Sequence, residues 1–158
     1  MLEAWRITKS RNAGRAFDGE GSRLYGSRWT SRGLRVAHAS QSLSLATLEV
    51  LVHLQSSTSL GSYSVFRVRI PEDLAAGVNE KELPSTWRRF PAPPEVQAIG
   101  DRWLREARSA VLRVPSAIVP HEHNYLINPE HGGFKRIKIQ GPLKWDVDPR
   151  IFSGKRDS

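Results

Sequence analysis

The chain is predicted to form one α+β domain, with short strands in a mixed sheet and helices flanking it. Three observations carry that prediction. Two segments have the length and pattern of helices, several others are short and alternate in polarity, and 158 residues suit a single core. Hydrophobic residues make up 39% and charged residues 25%, the balance of a globular chain rather than a disordered one.

Taken in order, Leu2 to Thr8 reads as a short strand with Trp5 and Ile7 on one face. Ser10 to Arg32 is polar and glycine-rich, and reads as a long loop; loops of that length are usually functional or mobile. Arg35 to Ala39 is a short strand. Ser42 to Gln55 is the clearest helix, and its apolar residues lie almost all round, which predicts central burial. Tyr63 to Ile70 alternates, with Phe66, Val68 and Ile70 opposite Arg67 and Arg69, and Pro71 ends it. Residues 71–95 carry five prolines and are expected to be mostly loop. Val96 to Arg108 is a second helix, with Val96, Ile99, Trp103 and Ala107 inward. Ala110 to Val114 and Ala117 to Val119 read as strands about a Pro115-Ser116 break, Phe134 to Gln140 alternates, and Leu143 to Val147 reads as the last strand. The domain is placed at residues 1–152, followed by a polar, frayed tail at 153–158.

With no cysteine there is neither a disulfide nor a thiolate metal site. The start of the chain lacks a signal-peptide apolar run and no segment approaches a membrane span, so a cytoplasmic protein is expected. A net charge of +8 favours polyanionic partners: nucleic acid, nucleotide or an acidic protein. The basic residues are scattered, without helix-turn-helix or zinc-finger spacing, which makes direct nucleic-acid binding the weaker reading.

The most informative stretch is Gly21-Ser-Arg-Leu-Tyr-Gly-Ser-Arg-Trp-Thr-Ser-Arg-Gly33, followed by the helix that contains Glu49. Arginine binds phosphate bidentately and glycine lets backbone approach a ligand, so Arg28 beside Trp29 is a candidate clamp for a diphosphate or carboxylate. The competing reading of Arg28 is a solvated loop arginine. Glu49 is a carboxylate in apolar company, costly unless it has a partner or a task. Either it pairs with His53 or a core arginine, or it faces a cleft, where it orients a sugar hydroxyl or stabilises a cation. His38 is either a satisfied core histidine or part of the same pocket. Ser116 offers a hydroxyl to a ligand phosphate or sugar, and Asn124 lies in the next stretch rich in hydrogen-bonding groups. His121, His123 and His131 resemble metal ligands only superficially, and no metal site is expected. There is no nucleophile elbow, Walker loop or dinucleotide glycine fingerprint.

These motifs in series resemble the RES-domain family, the toxin half of bacterial RES–Xre toxin–antitoxin pairs. The resemblance runs from Trp5-Arg6-Ile7 to Asp148-Pro-Arg150, through Gly19 to Trp29, Ser42 to Leu54, Gly100-Asp-Arg-Trp-Leu104, Val114-Pro-Ser116 and Asn124-Tyr-Leu-Ile-Asn-Pro129. It implies an ADP-ribosyltransferase-like fold and consumption of NAD as substrate, by hydrolysis or phosphorolysis or by ADP-ribosyl transfer to a protein. The family's Arg, Glu and Ser fall on Arg28, Glu49 and Ser116. Family members commonly have a tyrosine where this chain has His38, a departure that bears on how nicotinamide or ribose is held. The resemblance casts Glu49, Arg28 and His38 as catalytic. Arg28 and Arg6 would hold the diphosphate, Tyr25 or Trp29 would stack on a ring, and Ser116 and Asn124 would contact the substrate. It further implies an Xre-type antitoxin partner and, for transfer, a host protein acceptor.

Overall fold

A computed structural model describes residues 1–53, 62–146 and 148–151. The strands are β1 (Leu2–Lys9), β2 (Ala37–Ser40), β3 (Tyr63–Ile70), β4 (Ala75–Gly77), β5 (Val111–Pro115), β6 (His123–Ile127) and β7 (Lys138–Lys144). The helices are α1 (Glu20–Tyr25), α2 (Leu43–His53) and α3 (Pro94–Glu106). The strands form one mixed sheet in the order β4-β5-β6-β2-β1-β3-β7. Every neighbouring pair is antiparallel except β4 with β5. The α+β class is therefore as the sequence predicts.

Alternation along the strands divides the core in two. Ala37 and Ala39 of β2 pack with Ala4, Val68, Tyr125 and Ile127 on one face. The other face carries Leu112, Val114 and Leu126, covered by Val96 and Trp103 of α3 and by Trp29. His38 pairs with Leu126 and Ser40 with Asn124 across the β2–β6 ladder, so these side chains share that second face. Trp5 pairs with Ser40, and α2 packs over β1 and β2.

Several expectations are corrected. The segment from Ser10 to Arg32 is not one loop: it holds a 3-10 turn at Ser10–Arg15 and the short helix α1. Gly19 makes α1 possible, because its φ is +75° and a Cβ there would lie 2.6 Å from the Val36 nitrogen. The first turn of α2 is capped by Ser42, whose Oγ accepts from the Leu45 amide at 3.1 Å. That helix is not buried all round. Leu45 and Ala46 are buried, while Leu48 is 40% and Val52 60% exposed, because the sheet covers only one side of it. Residues 71–95 include a strand, β4, paired in parallel with β5. Ala117 to Val119 is a turn rather than a strand, and β6 follows it. The last two alternating segments are one strand, β7, entered from a 3-10 turn at Gly132–Arg136. Ala107 is exposed and ends α3 in the left-handed region, φ 51°. The expected ends at Gln55 and Val147, the domain limit at 152 and the tail at 153–158 lie outside the described residues.

Candidate active site

Glu49 lies on the side of α2 that faces the sheet, and neutral donors meet it there. Its Oε1 accepts from the Asn124 side-chain amide at 2.7 Å and from the Ser116 hydroxyl at 3.1 Å. Asn124 comes from β6, and Ser116 directly follows β5. Ser116 is fully buried, and its Oγ also accepts from the backbone amides of Ile118 and Val119, each at 3.1 Å. Both backbone groups can only donate, so the single hydroxyl proton of Ser116 is directed at Glu49. The Pro115-Ser116 break that suggested a strand junction is thus a turn that aims this hydroxyl.

Arg28 belongs to a tight turn clamped by α3. Ser27 and Thr30 hydroxyls lie 2.7 Å apart, and Gln97 donates to the Ser27 carbonyl at 2.9 Å. Asp101 accepts from the Ser31 amide at 2.8 Å. A Cβ on Gly100 would stand 1.9 Å from the Trp29 carbonyl oxygen, so only glycine admits the turn this close to the helix. Gln97, Gly100 and Asp101 fall at helical spacing on one face, which accounts for the Gly100-Asp101 motif as a support for the Arg28 turn. The guanidinium of Arg28 then donates through Nη1 to the carbonyls of Trp87 and Arg89, at 2.9 and 2.8 Å. Burial lowers its pKa, Glu49 raises it, and Arg88 lowers it, so Glu49 and Arg88 both act on it electrostatically. Arg88 itself donates through Nε to the Ala117 carbonyl at 2.9 Å, next to Ser116.

The remaining candidates are spread more widely. His38 faces the same side as Ser40; burial first, then the charges of Arg6 and His53, lower its pKa to about 4, so it is a neutral imidazole near pH 7. Arg6 donates to the Ala16 carbonyl at 2.6 Å and the His38 carbonyl at 2.9 Å, with its guanidinium over the Phe17 ring. Burial lowers its pKa to about 10, against the opposing charge of Asp18. Trp29 is only 3% exposed and packs at 6.0 Å from Trp87, so it is core rather than a stacking surface for a ligand. Tyr25 is 76% exposed at the end of α1. Thus Glu49, Ser116 and Asn124 are hydrogen-bonded together with Arg28 in electrostatic reach, while Trp29 serves the core and Arg6 the backbone.

Sequence reasoning missed Ser40, whose Oγ donates to Asn124 Oδ1 at 2.7 Å, and the carbonyls of Trp87 and Arg89. A backbone carbonyl carries no sequence signal. His131 accepts from the Gly133 amide and caps a 3-10 turn, and His123 lies 3.8 Å from Glu80. Among the described residues, no group of three or more His, Asp or Glu side chains is placed to hold a metal ion, and no helix is long and apolar enough to cross a membrane.

Comparison with known proteins agrees with this architecture. The chain is 36% identical over 148 residues to Toxin Res of Yersinia enterocolitica serotype O:8, covering 93% of this chain and 97% of that protein. It is 37% identical over 154 residues to the Prs ADP-ribosylating toxin of Sphingobium sp., covering 94% and 95%. The fold matches a chain of the M.tuberculosis MbcT-MbcA toxin-antitoxin complex with a TM-score of 0.74 at 16% identity, over 99% of this chain and 89% of that one. The RES domain model matches residues 3–148, and the chain belongs to the RES domain family.

Proposed function

We propose that this RES-family toxin consumes NAD by breaking the bond between nicotinamide and ribose. The observation that carries the reading is the Glu49 carboxylate, held on Oε1 by Asn124 and Ser116 with Arg28 in electrostatic reach. With Oε1 so occupied, Oε2 is the oxygen offered to the substrate. Heterolysis sends the bonding pair to the nicotinamide nitrogen, neutralises the pyridinium and leaves an oxocarbenium-like ribose. A fixed carboxylate stabilises that developing cation and accepts a hydrogen bond from a ribose hydroxyl. Nicotinamide leaves as a neutral molecule, so no strong acid is needed at the leaving group. Arg28 supplies positive charge to the diphosphate while its Nη1 holds the 87–89 backbone. Neutral His38 serves the same pocket as a hydrogen-bonding ring that adds no charge beside the cation.

Water or phosphate completes the first reading by adding to the ribose carbon and losing a proton. Transfer of ADP-ribose to a host protein is the second, favoured by the relative named as an ADP-ribosylating toxin. The toxin–antitoxin complex among the structural matches supports an antitoxin partner here, and the family resemblance favours one of Xre type. Purified protein given labelled NAD tests the assignment. Wild type is expected to release nicotinamide and Glu49→Ala to release almost none. Label recovered as free ADP-ribose or its phosphate supports the first reading, and label on protein the second. Intact NAD after incubation with folded wild type would refute both.

A further inference from the structure

Asn124 can serve Glu49 only while its amide is held in place. A side-chain amide turns about its terminal torsion at little cost, and a turn would withdraw the donor from Oε1 or bring an oxygen towards it. Ser40 holds the other end of that amide, donating from Oγ to Oδ1 at 2.7 Å. It is 5% exposed and stands directly opposite Asn124 in the β2–β6 register. Directly opposed residues present their side chains to the same face, so the sheet register sets the position of the amide and the amide sets the carboxylate. Trp5 of β1 pairs with Ser40 from the other side, fixing this point of the sheet from both neighbours.

We propose that Ser40 is a positioning residue for the reaction, acting through Asn124 to orient the Glu49 carboxylate so that Oε2 meets the substrate. The proposal rests on the NAD reading for its kinetic consequences, but the hydrogen-bonded arrangement it invokes has a readout of its own. Ser40 needs no contact with substrate. Its loss should lower the rate of the chemical step and spare binding.

The test compares wild type, Ser40→Ala, Asn124→Ala and the double variant in NAD turnover, with the Asn124 side-chain amide followed by nitrogen–proton NMR. Ser40→Ala is expected to lower kcat about 10- to 100-fold, by analogy with loss of a hydrogen-bond partner that orients a metal ligand. KM for NAD should stay within about twofold, since substrate contacts are kept. On the Asn124→Ala background, Ser40→Ala should add almost nothing, because its effect passes through that amide. Ser40→Cys, close in shape and a weak donor, carries the same test if the alanine variant does not fold, and should fall between wild type and Asn124→Ala. The Asn124 amide protons should be slow to exchange in wild type and fast in the Ser40 variant. Wild-type kcat in a folded Ser40 variant, or a full additional loss on the Asn124→Ala background, overturns the proposal. If wild type leaves NAD intact, the NAD reading falls by itself. The NMR comparison still decides the Ser40 arrangement, with unchanged exchange in the Ser40 variant overturning it.

Discussion

Glu49 takes its two hydrogen bonds from neutral groups, and among the described residues it joins no ion pair. Neither the i+4 pairing with His53 nor a salt bridge to a core arginine, the structural reading open from the sequence, is formed among the described residues. Removing the charge should therefore cost the fold little while disabling the carboxylate. We expect Glu49→Gln to melt within a few degrees of wild type or above it, and to lose at least about 100-fold in turnover. A lowered melting temperature with near-normal activity per folded molecule would instead assign Glu49 to the fold. His38 gives a second prediction. Its pKa is lowered from 6.5 to about 4 in the folded chain, so the unfolded chain takes up a proton at higher pH than the folded one does. The stability tied to its neutral form is complete above pH 6.5 and is lost as pH falls from 6.5 towards 4. Denaturant titrations across that window should show less acid sensitivity in His38→Gln than in wild type, and parallel curves would remove His38 as the cause.

At the level of elements, α3 supports the Arg28 turn, and Arg28 in turn holds the segment that leads into α3. Gln97, Gly100 and Asp101 grip residues 27–31, and Arg28 returns two hydrogen bonds to the Trp87 and Arg89 carbonyls. Arg28 therefore orders a neighbouring loop, and on the proposed function it has a second task, charge for the substrate. We expect Arg28→Ala to weaken NAD binding at least about tenfold, as loss of a charge-assisted contact should. Amide hydrogen exchange should also accelerate around residues 87–89, where a merely solvated arginine would change nothing. Binding and exchange measured on one preparation check both tasks, and unchanged values in a folded variant would return Arg28 to the solvated reading. The helices were legible as elements from their periodicity, but their surroundings were not. The sequence of α2 is apolar nearly all round, yet Val52 is 60% exposed, since burial depends on where the sheet lies and not on the helix alone.

For the molecule as a whole, the proposed consumption of NAD predicts harm to the cell that makes the chain, and the net charge of +8 bears on what could neutralise it. Induction of the chain alone should lower cellular NAD and stop growth, while Glu49→Ala should spare both. Co-expression with a cognate antitoxin should restore growth, and its contact segment is expected to be acidic to match this charge. Normal NAD and growth at high expression of the folded wild type would contradict the toxin mechanism. The scattered arginines that raised the nucleic-acid alternative have local partners in several cases. Arg23 and Arg35 pair with Glu20, whose pKa those contacts, Arg23 foremost, lower to about 2; Arg67 pairs with Glu3, and Arg136 with Asp73.

By itself the sequence determined the class of fold, the strands β1 and β3 and the helices α2 and α3, and it singled out residues for a candidate site. Periodicity and residue chemistry are local properties, and Glu49, Arg28 and Ser116 could be singled out because a carboxylate in apolar company, an arginine among glycines and a serine after proline are each conspicuous in one dimension. Only the tertiary structure decided which of them meet. Register alone places Ser40 opposite Asn124, and the turn after Pro115 alone aims the Ser116 proton at Glu49. Trp29 and Arg6 show the same limit from the other side. An indole beside an arginine looks equally suited to a ligand or a core, and the packing of α3 over the sheet put it in the core. Arg6 looks like any strand arginine until the carbonyls of Ala16 and His38 close on it. These outcomes depend on long-range geometry, in which partners 10 to 84 positions apart in the chain come within hydrogen-bond distance, and no local pattern encodes that distance.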